Sequence, residues 1–287
     1  MVEDLAVAKC GATTRRRQPS NVARAIFRHP CIILKVYIHS SSRSSGLRSL
    51  IVVILYETNR VGCAVDMINI TLVCTAHREN GHCNAEELLK ILRGIEPGVI
   101  FEEMRAGEFD FYLQGGSVEA HAIARYRDPA LFPPVPVDRY DVPLGLLHQL
   151  KKDFDRVLDR VLQDSQEYRN LDEENDKDVN ESGFSYLNSD AFASRSSQMS
   201  AIEDAIISGT NHRDLIQALK DWRQLIRKRE VEMVRSVYEY CRKHDFDRGV
   251  FLVGAAHKTG IVKLAENYAS REPALITWHF AYDRLCP

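Results

Sequence analysis

Two apolar runs far apart in the chain share one design, a strand-like stretch that stops at a histidine. The first is Ile70-Thr71-Leu72-Val73-Cys74-Thr75-Ala76-His77 and the second is Val250-Phe251-Leu252-Val253-Gly254-Ala255-Ala256-His257. Continuous apolar runs of this length, closed by small residues, fit strands buried on both faces of a parallel sheet. A third run, Val99-Ile100-Phe101, follows Pro97-Gly98 and ends in Glu102-Glu103. Between the first and third lies a segment from Asn84 to Arg93 with Leu88, Leu89, Ile91 and Leu92 at helical spacing. Asn84 followed three residues later by Glu87 predicts a capped helix start, and Gly94 its stop. Strand, helix, strand over so short a span predicts a right-handed βαβ unit with parallel strands. Val135–Asp138 and Ala274–Trp278 are further strand candidates.

The middle of the chain changes period. Leu147, Leu150, Phe154, Val157, Leu158, Val161 and Leu162 follow helical spacing from Leu144 and predict a helix to about Arg169. Ser200–Ser208 and Asn211–His244 predict two more, while 171–182, dense in Asp, Glu and Asn, suggests a solvated linker. The fold class is therefore α/β: a mainly parallel β-sheet with flanking helices and a helical insertion at about 144–245, set before the last motif-bearing strand. That insertion is placed to roof a pocket.

In an open parallel sheet, ligands bind outside the carboxyl ends of the strands. His77 and His257 are 180 residues apart in sequence, yet both would be delivered to that edge, with Glu102 and Glu103 beside them. Side chains alternate along a strand, so only one of the two glutamates should face the site. Each piece alone also fits a blander role, a core or capping imidazole and a solvated strand end. A basic residue follows each histidine, Arg78 and Lys258.

As an ordered series, these motifs resemble the TraB/GumN group, which is similar to the Tiki metalloprotease-like, erythromycin-esterase-like and ChaN-like proteins. That group opens with strand-Gly-Thr-x-His, continues with a strand ending in glutamate, and closes with strand-Gly-Ala-x-His. His77, Glu103 (or Glu102) and the run from Gly254 to His257 match in order. Ser117-Val118-Glu119-Ala120 resembles the glutamate-bearing helix start after the second strand. Val137-Asp138-Arg139 resembles the third strand end, and Arg229-Glu230-Val231-Glu232-Met233 the Arg-Asp-x-x-Met before the last strand. The likeness runs from residue 67 to about 270. One departure is Cys74 in place of the first glycine, which puts catalytic competence in question.

The resemblance implies hydrolysis of an ester or amide in a small-molecule or peptide substrate. The expected catalytic residues are His77, Glu103, His257, Glu102 and Glu119, with Arg78, Lys258 and Arg139 binding substrate. Two mechanisms fit. A divalent metal held by His77, His257 and Glu103 would activate water, two imidazoles and a carboxylate being a common open ligand set. Without a metal, a histidine would act as general base and the glutamate would orient it. A different class is also open, a regulatory or binding protein that takes a metal, haem or small ligand in the same pocket without turnover. Cys74, His77, His82 and Cys83 fall within ten residues, but no second spaced pair follows, which argues against a local zinc site. No Gly-x-Ser-x-Gly elbow or P-loop is present.

Composition narrows the class. The 287 residues are 45% hydrophobic and 27% charged with net charge −2, ample for a real core and without the basic excess of a nucleic-acid binder. Seven scattered cysteines imply no disulfide framework and suggest a reducing, cytoplasmic setting. Charge is uneven: residues 1–66 carry ten Lys/Arg against four Asp/Glu. Their apolar runs, Cys31–Ile38 and Leu50–Tyr56, are too short to span a membrane. The Arg- and Ser-rich composition has a transit-peptide character. The plainer expectation is a basic N-terminal extension, poorly ordered or lying upstream of a natural start at Met67, with the α/β domain over 67–287. The sequence leaves the oligomeric state open.

Overall fold

The computed structural model describes the backbone of residues 22–29, 32–40 and 50–57, and residues 67–280 in full. The chain divides into two units, Met1–Ala64 and Val65–Pro287. In the first, β1 (Val22–His29), β2 (Ile32–Ser40) and β3 (Leu50–Glu57) form an antiparallel sheet in the order β1-β2-β3. The apolar runs 31–38 and 50–56 fall largely on β2 and β3.

The second unit is α/β. Its five strands are β4 (Ile68–Thr75), β5 (Val99–Glu102), β6 (Val135–Pro136), β7 (Arg248–Gly254) and β8 (Ile276–His279). They lie in the order β6-β5-β7-β4-β8, and every pairing is parallel. The two histidine-bearing strands are neighbours, with Thr75 beside Gly254 in register, so the sheet puts both motif ends at one edge. β4 and β7 are central and read as unbroken apolar runs because both faces are covered. Ile70, Leu72, Val73, Val250, Phe251 and Leu252 are all buried. The third strand is shorter than its sequence suggests. Only Val135 and Pro136 form it, and Val137 and Asp138 continue irregularly, donating to the carbonyls of Glu102 and Met104 at 3.1 and 3.2 Å.

Helix α1 (Ala85–Ile95) begins as expected, with the Asn84 side chain accepting from the amides of Glu86 and Glu87, both at 3.0 Å. It does not stop at Gly94. The left-handed cap is Glu96 (φ 50°), whose N–H reaches Leu92 O, and Pro97 follows at once. The ring of Pro97 cannot continue a helix, so the proline rather than the glycine marks the end.

α2 (Phe109–Gln114) and α3 (Val118–Tyr126) follow β5. The insertion is four helices, α4 (Leu144–Asp164), α5 (Gln166–Leu187), α6 (Asp190–Ser208) and α7 (Arg213–Cys241), after which α8 (Lys258–Arg271) follows β7. The expected acidic linker at 171–182 is instead part of α5. Its Asp, Glu and Asn residues turn outward, while Tyr168, Val179, Phe184 and Leu187 are buried. Composition alone misses this because the helix draws its stability from sparse inward contacts. The long α7 joins two cores. Leu215, Ala218 and Leu219 pack with Val157, Val161 and Ile207, whereas Met233, Val234, Val237 and Tyr238 pack on the sheet. No helix among the described residues is long and apolar enough to cross a membrane.

Candidate active site

At the carboxyl edge of the sheet, the two histidines meet one carboxylate. His257 Nε2 lies 3.1 Å from Glu103 Oε1, and His77 Nε2 lies 4.0 Å from Glu103 Oε2. The other nitrogen of each ring is held by a second carboxylate. Nδ1 of His77 is 3.1 Å from Glu119 Oε1, and Nδ1 of His257 is 3.1 Å from Glu230 Oε1. The series Glu119, His77, Glu103, His257, Glu230 is thus a chain of alternating carboxylates and imidazoles.

Local structure sets each member. Glu119 stands in the first turn of α3, which Ser117 caps by accepting from Ala120 N at 3.3 Å. It is buried, and its oxygens accept from Thr75 Oγ1 at 2.5 Å and Ser117 Oγ at 2.7 Å. Burial disfavours its charged form, but the hydrogen bonds from His77, Thr75 and Ser117 outweigh this and hold its pKa below the usual range. In return, the hydrogen bond to Glu119 raises the pKa of His77. The His77 side chain is 56% exposed, with Nδ1 anchored to the buried Glu119 and Nε2 on the side of Glu103.

Glu103 is saturated along one oxygen. Oε1 accepts from Arg229 Nη2 at 2.7 Å as well as facing His257, while Oε2 accepts from the amide of Gly254 at 2.7 Å. Burial works against its charge, yet the hydrogen bond from His257 and the nearby Arg229 and His77 carry its pKa down to about 2. Arg229 also grips Asp138 Oδ2 at 3.0 and 3.1 Å. His257 is only 5% exposed. Burial would lower its pKa, but the two flanking carboxylates prevail and raise it to about 9, so it is an imidazolium at neutral pH.

Two glycines make these contacts possible. A Cβ on Gly260 would fall 2.0 Å from Glu230 Oε2, so the carboxylate that holds His257 occupies space that any side chain there would take. Gly254 plays the same part toward His77 and Glu103, with 3.0 and 3.2 Å to a Cβ built on it. The loop after His77 is held from the insertion. His82 N donates to Asn180 O at 2.9 Å, and α5 bends at Gly183 (φ 53°, ψ −129°), where a Cβ would meet His82 O at 2.5 Å.

The other expected site residues take different places. Glu102 points away from Glu103 into a buried position where its Oε2 has no partner, and burial followed by the Glu119 charge pushes its pKa up to about 8. Lys258 is buried, with Nζ donating to the carbonyls of Asn188 and Ser189, the latter at 2.8 Å. It ties down the end of α5. Arg78 is exposed, and Arg139 is exposed at 3.8 Å from Glu239. The strand-end carboxylate drawn into the cluster is Asp138, the neighbour of Arg139. Cys74 packs in the core, its N–H and C=O paired with the Asn188 side-chain amide at 2.8 and 2.9 Å. Burial pushes its thiol up to about 12, so it is no nucleophile. Arg229, Glu230, Asp138, Thr75 and Gly260 were missing from the expected site; all but Gly260 lay within the motifs that carry the resemblance.

His77, His257 and Glu103 are the right donor types for a divalent metal, and a carboxylate behind each imidazole is common at such centres. Through Oε1 of Glu103 their arrangement does not fit one. Oε1 of Glu103 already accepts from Arg229 at 2.7 Å and faces His257 Nε2 at 3.1 Å, so it has no lone pair left for a cation. Among the described residues no group of three or more His, Cys, Asp or Glu is disposed to hold a metal.

No family model, no curated protein and no solved structure matches this chain.

Proposed function

We propose that the chain is a hydrolase of ester or amide bonds, allied to the TraB/GumN group that its motifs resemble, and that His77 is its general base. The observation that carries this reading is the state of His77. A buried carboxylate holds Nδ1, while Nε2 of this half-exposed ring lies beside a second, charge-fixed carboxylate without bonding it. With Nδ1–H donated to Glu119, Nε2 carries the lone pair a base needs. Glu119 fixes the tautomer and ring orientation and stabilises the imidazolium that forms, the role of the third member in nucleophile–base–orienter triads. His77 would take a proton from water as it attacks the carbonyl, then return it to the departing alcohol or amine. His257 serves this reading as a buried cation, with Arg229, that keeps Glu103 ionised and in place. The metal-free form is favoured because Glu103 is already committed to nitrogen donors. A cytoplasmic setting suits the buried free thiols of Cys74, Cys83 and Cys241.

The test is a panel of p-nitrophenyl esters and anilides assayed with the purified protein, its His77→Gln variant, and a metal analysis of both. Hydrolysis without bound metal, lost in the variant, supports the reading. Stoichiometric metal lost in the variant moves the mechanism to metal-activated water. Ligand binding with no turnover of any member of the panel would place the chain in the binding-protein class.

A further inference from the structure

The geometry around Gly254 points to where the attacking water sits. We propose that the nucleophilic water is held between His77 Nε2 and Glu103 Oε2, and that Gly254 is a positioning residue whose missing side chain keeps this place open. The proposal rests on the hydrolase reading above and adds the nucleophile's site to it.

The two atoms are 4.0 Å apart, too far for a direct hydrogen bond and close enough for one water to bridge. Each has one free valence there. Oε1 of Glu103 is filled by Arg229 and His257, but Oε2 accepts only the Gly254 amide at 2.7 Å. A carboxylate oxygen accepts about two hydrogen bonds, so Oε2 has room for one more. His77 donates through Nδ1 to Glu119, which leaves Nε2 as an acceptor. A water between them donates one O–H to each, and its lone pairs are left facing outward. That is the orientation a nucleophile requires.

Gly254 has no conformational reason to be glycine. Its backbone, at φ −55° and ψ 136°, suits any residue. Glycine at a strand end also carries an entropic cost. Its reason is space. A Cβ here would lie 3.0 Å from His77 Nε2, 3.2 Å from Glu103 Oε2 and 3.4 Å from His77 Cε1, and these are its nearest neighbours. The missing methyl thus faces the two groups that would bind the water. A methyl would force His77 aside by a few tenths of an ångström and crowd the bridge.

The step balances without a co-reactant. One water O–H bond breaks and its proton goes to His77 Nε2. The water oxygen bonds to the carbonyl carbon, whose π pair moves to the carbonyl oxygen. Collapse of the tetrahedral adduct breaks the C–O or C–N bond, and Nε2–H returns the proton to the leaving alcohol or amine. Glu103 ends as it began.

The test combines crystallography of the full chain with hydrolysis of p-nitrophenyl acetate. The unmodified protein should show an ordered water within roughly 2.6–3.2 Å of both atoms. Gly254→Ala should displace it and lower kcat by up to about a hundredfold, the cost that a full misplacement of about 1 Å carries, with KM little changed. Hydrolysis without a water at this position, or an unaltered kcat in Gly254→Ala, overturns the site alone. An anomalous scatterer at about 2.0–2.2 Å from the same atoms overturns it in favour of a metal. A water in place without any hydrolysis overturns the hydrolase reading and reduces the position to structural hydration. Should Gly254→Ala fail to fold, the unmodified crystal structure still decides.

Discussion

The two strand-end histidines are built from nearly the same parts and do opposite work. Each closes a central parallel strand, each has Nδ1 3.1 Å from a buried glutamate, and each turns Nε2 toward Glu103. They differ in what lies beyond. His77 is followed by an exposed loop and keeps more than half of its side chain in solvent, whereas His257 begins a helix and is covered. A carboxylate on one nitrogen makes an oriented base. Carboxylates on both, out of water, make a fixed cation. The difference teaches that a motif such as small-small-His does not carry a role; the number of acceptors around the ring and its access to solvent do.

Substitutions sharpen this contrast. The largest expected effect is on rate: His77→Gln should cost roughly a hundredfold to ten-thousandfold in kcat and cost less stability than His257→Gln, because the ring is half exposed and Glu119 keeps the hydrogen bonds from Thr75 and Ser117. His257→Gln should act the other way round, through stability. It leaves Glu230 buried without a cation and Glu103 with Arg229 alone, a loss of about 3–5 kcal/mol when one partner of a buried pair is removed, read by urea denaturation. If the two variants show the same stability, the assignment of His257 as a structural cation fails.

A smaller effect is expected at Gly260. Gly260→Ala forces the Glu230 carboxylate off its place and should destabilise by about 1–3 kcal/mol, as overpacking does. Glu230→Asp in the same chain shortens the clashing side chain, so the double variant should lose less than the sum of the single ones. Additive losses would mean the two residues do not share that space.

The pH profile of stability is the mildest probe. Glu103, lowered to about 2 from 4.5, contributes stability that is present above pH 4.5 and lost as pH falls toward 2. His257, raised from 6.5 to about 9, contributes stability that is full below 6.5 and lost as pH rises through 9. Glu102, raised from 4.5 to about 8, adds to the decline between those values, because the unfolded chain releases its proton first. Melting temperature should therefore fall on both sides of a mildly acidic optimum. In His257→Gln the decline between pH 6.5 and 9 should become shallower.

Much of this frame is legible along the chain. The βαβ unit follows from local signals: unbroken apolar runs, the Asn84 cap, and helical spacing over Leu88–Leu92. Those same signals put His77, Glu103 and His257 at strand ends, and alternation allowed only one of Glu102 and Glu103 to face the site without saying which. Other features could not be read. Lys258 looks like a substrate cation in sequence, but its ammonium closes the carbonyls at the end of α5, 69 and 70 residues away. Arg139 is the candidate that the sequence offers at the third strand end, but the bend after Pro136 turns its neighbour Asp138 to Arg229. The acidic stretch of α5 looks solvated because only a few of its residues point inward.

By itself the sequence determined the central strands that carry the two histidines, and the chemical types gathered at their ends, since these depend on patterns within a few residues. Only the tertiary structure decided which histidine is open and which is enclosed. That choice depends on Glu119 from α3, Glu230 from α7 and the bare Cα of Gly260, which come together across the fold. Solvation and ion pairing, unlike helical or strand period, are properties of neighbours in space rather than in sequence.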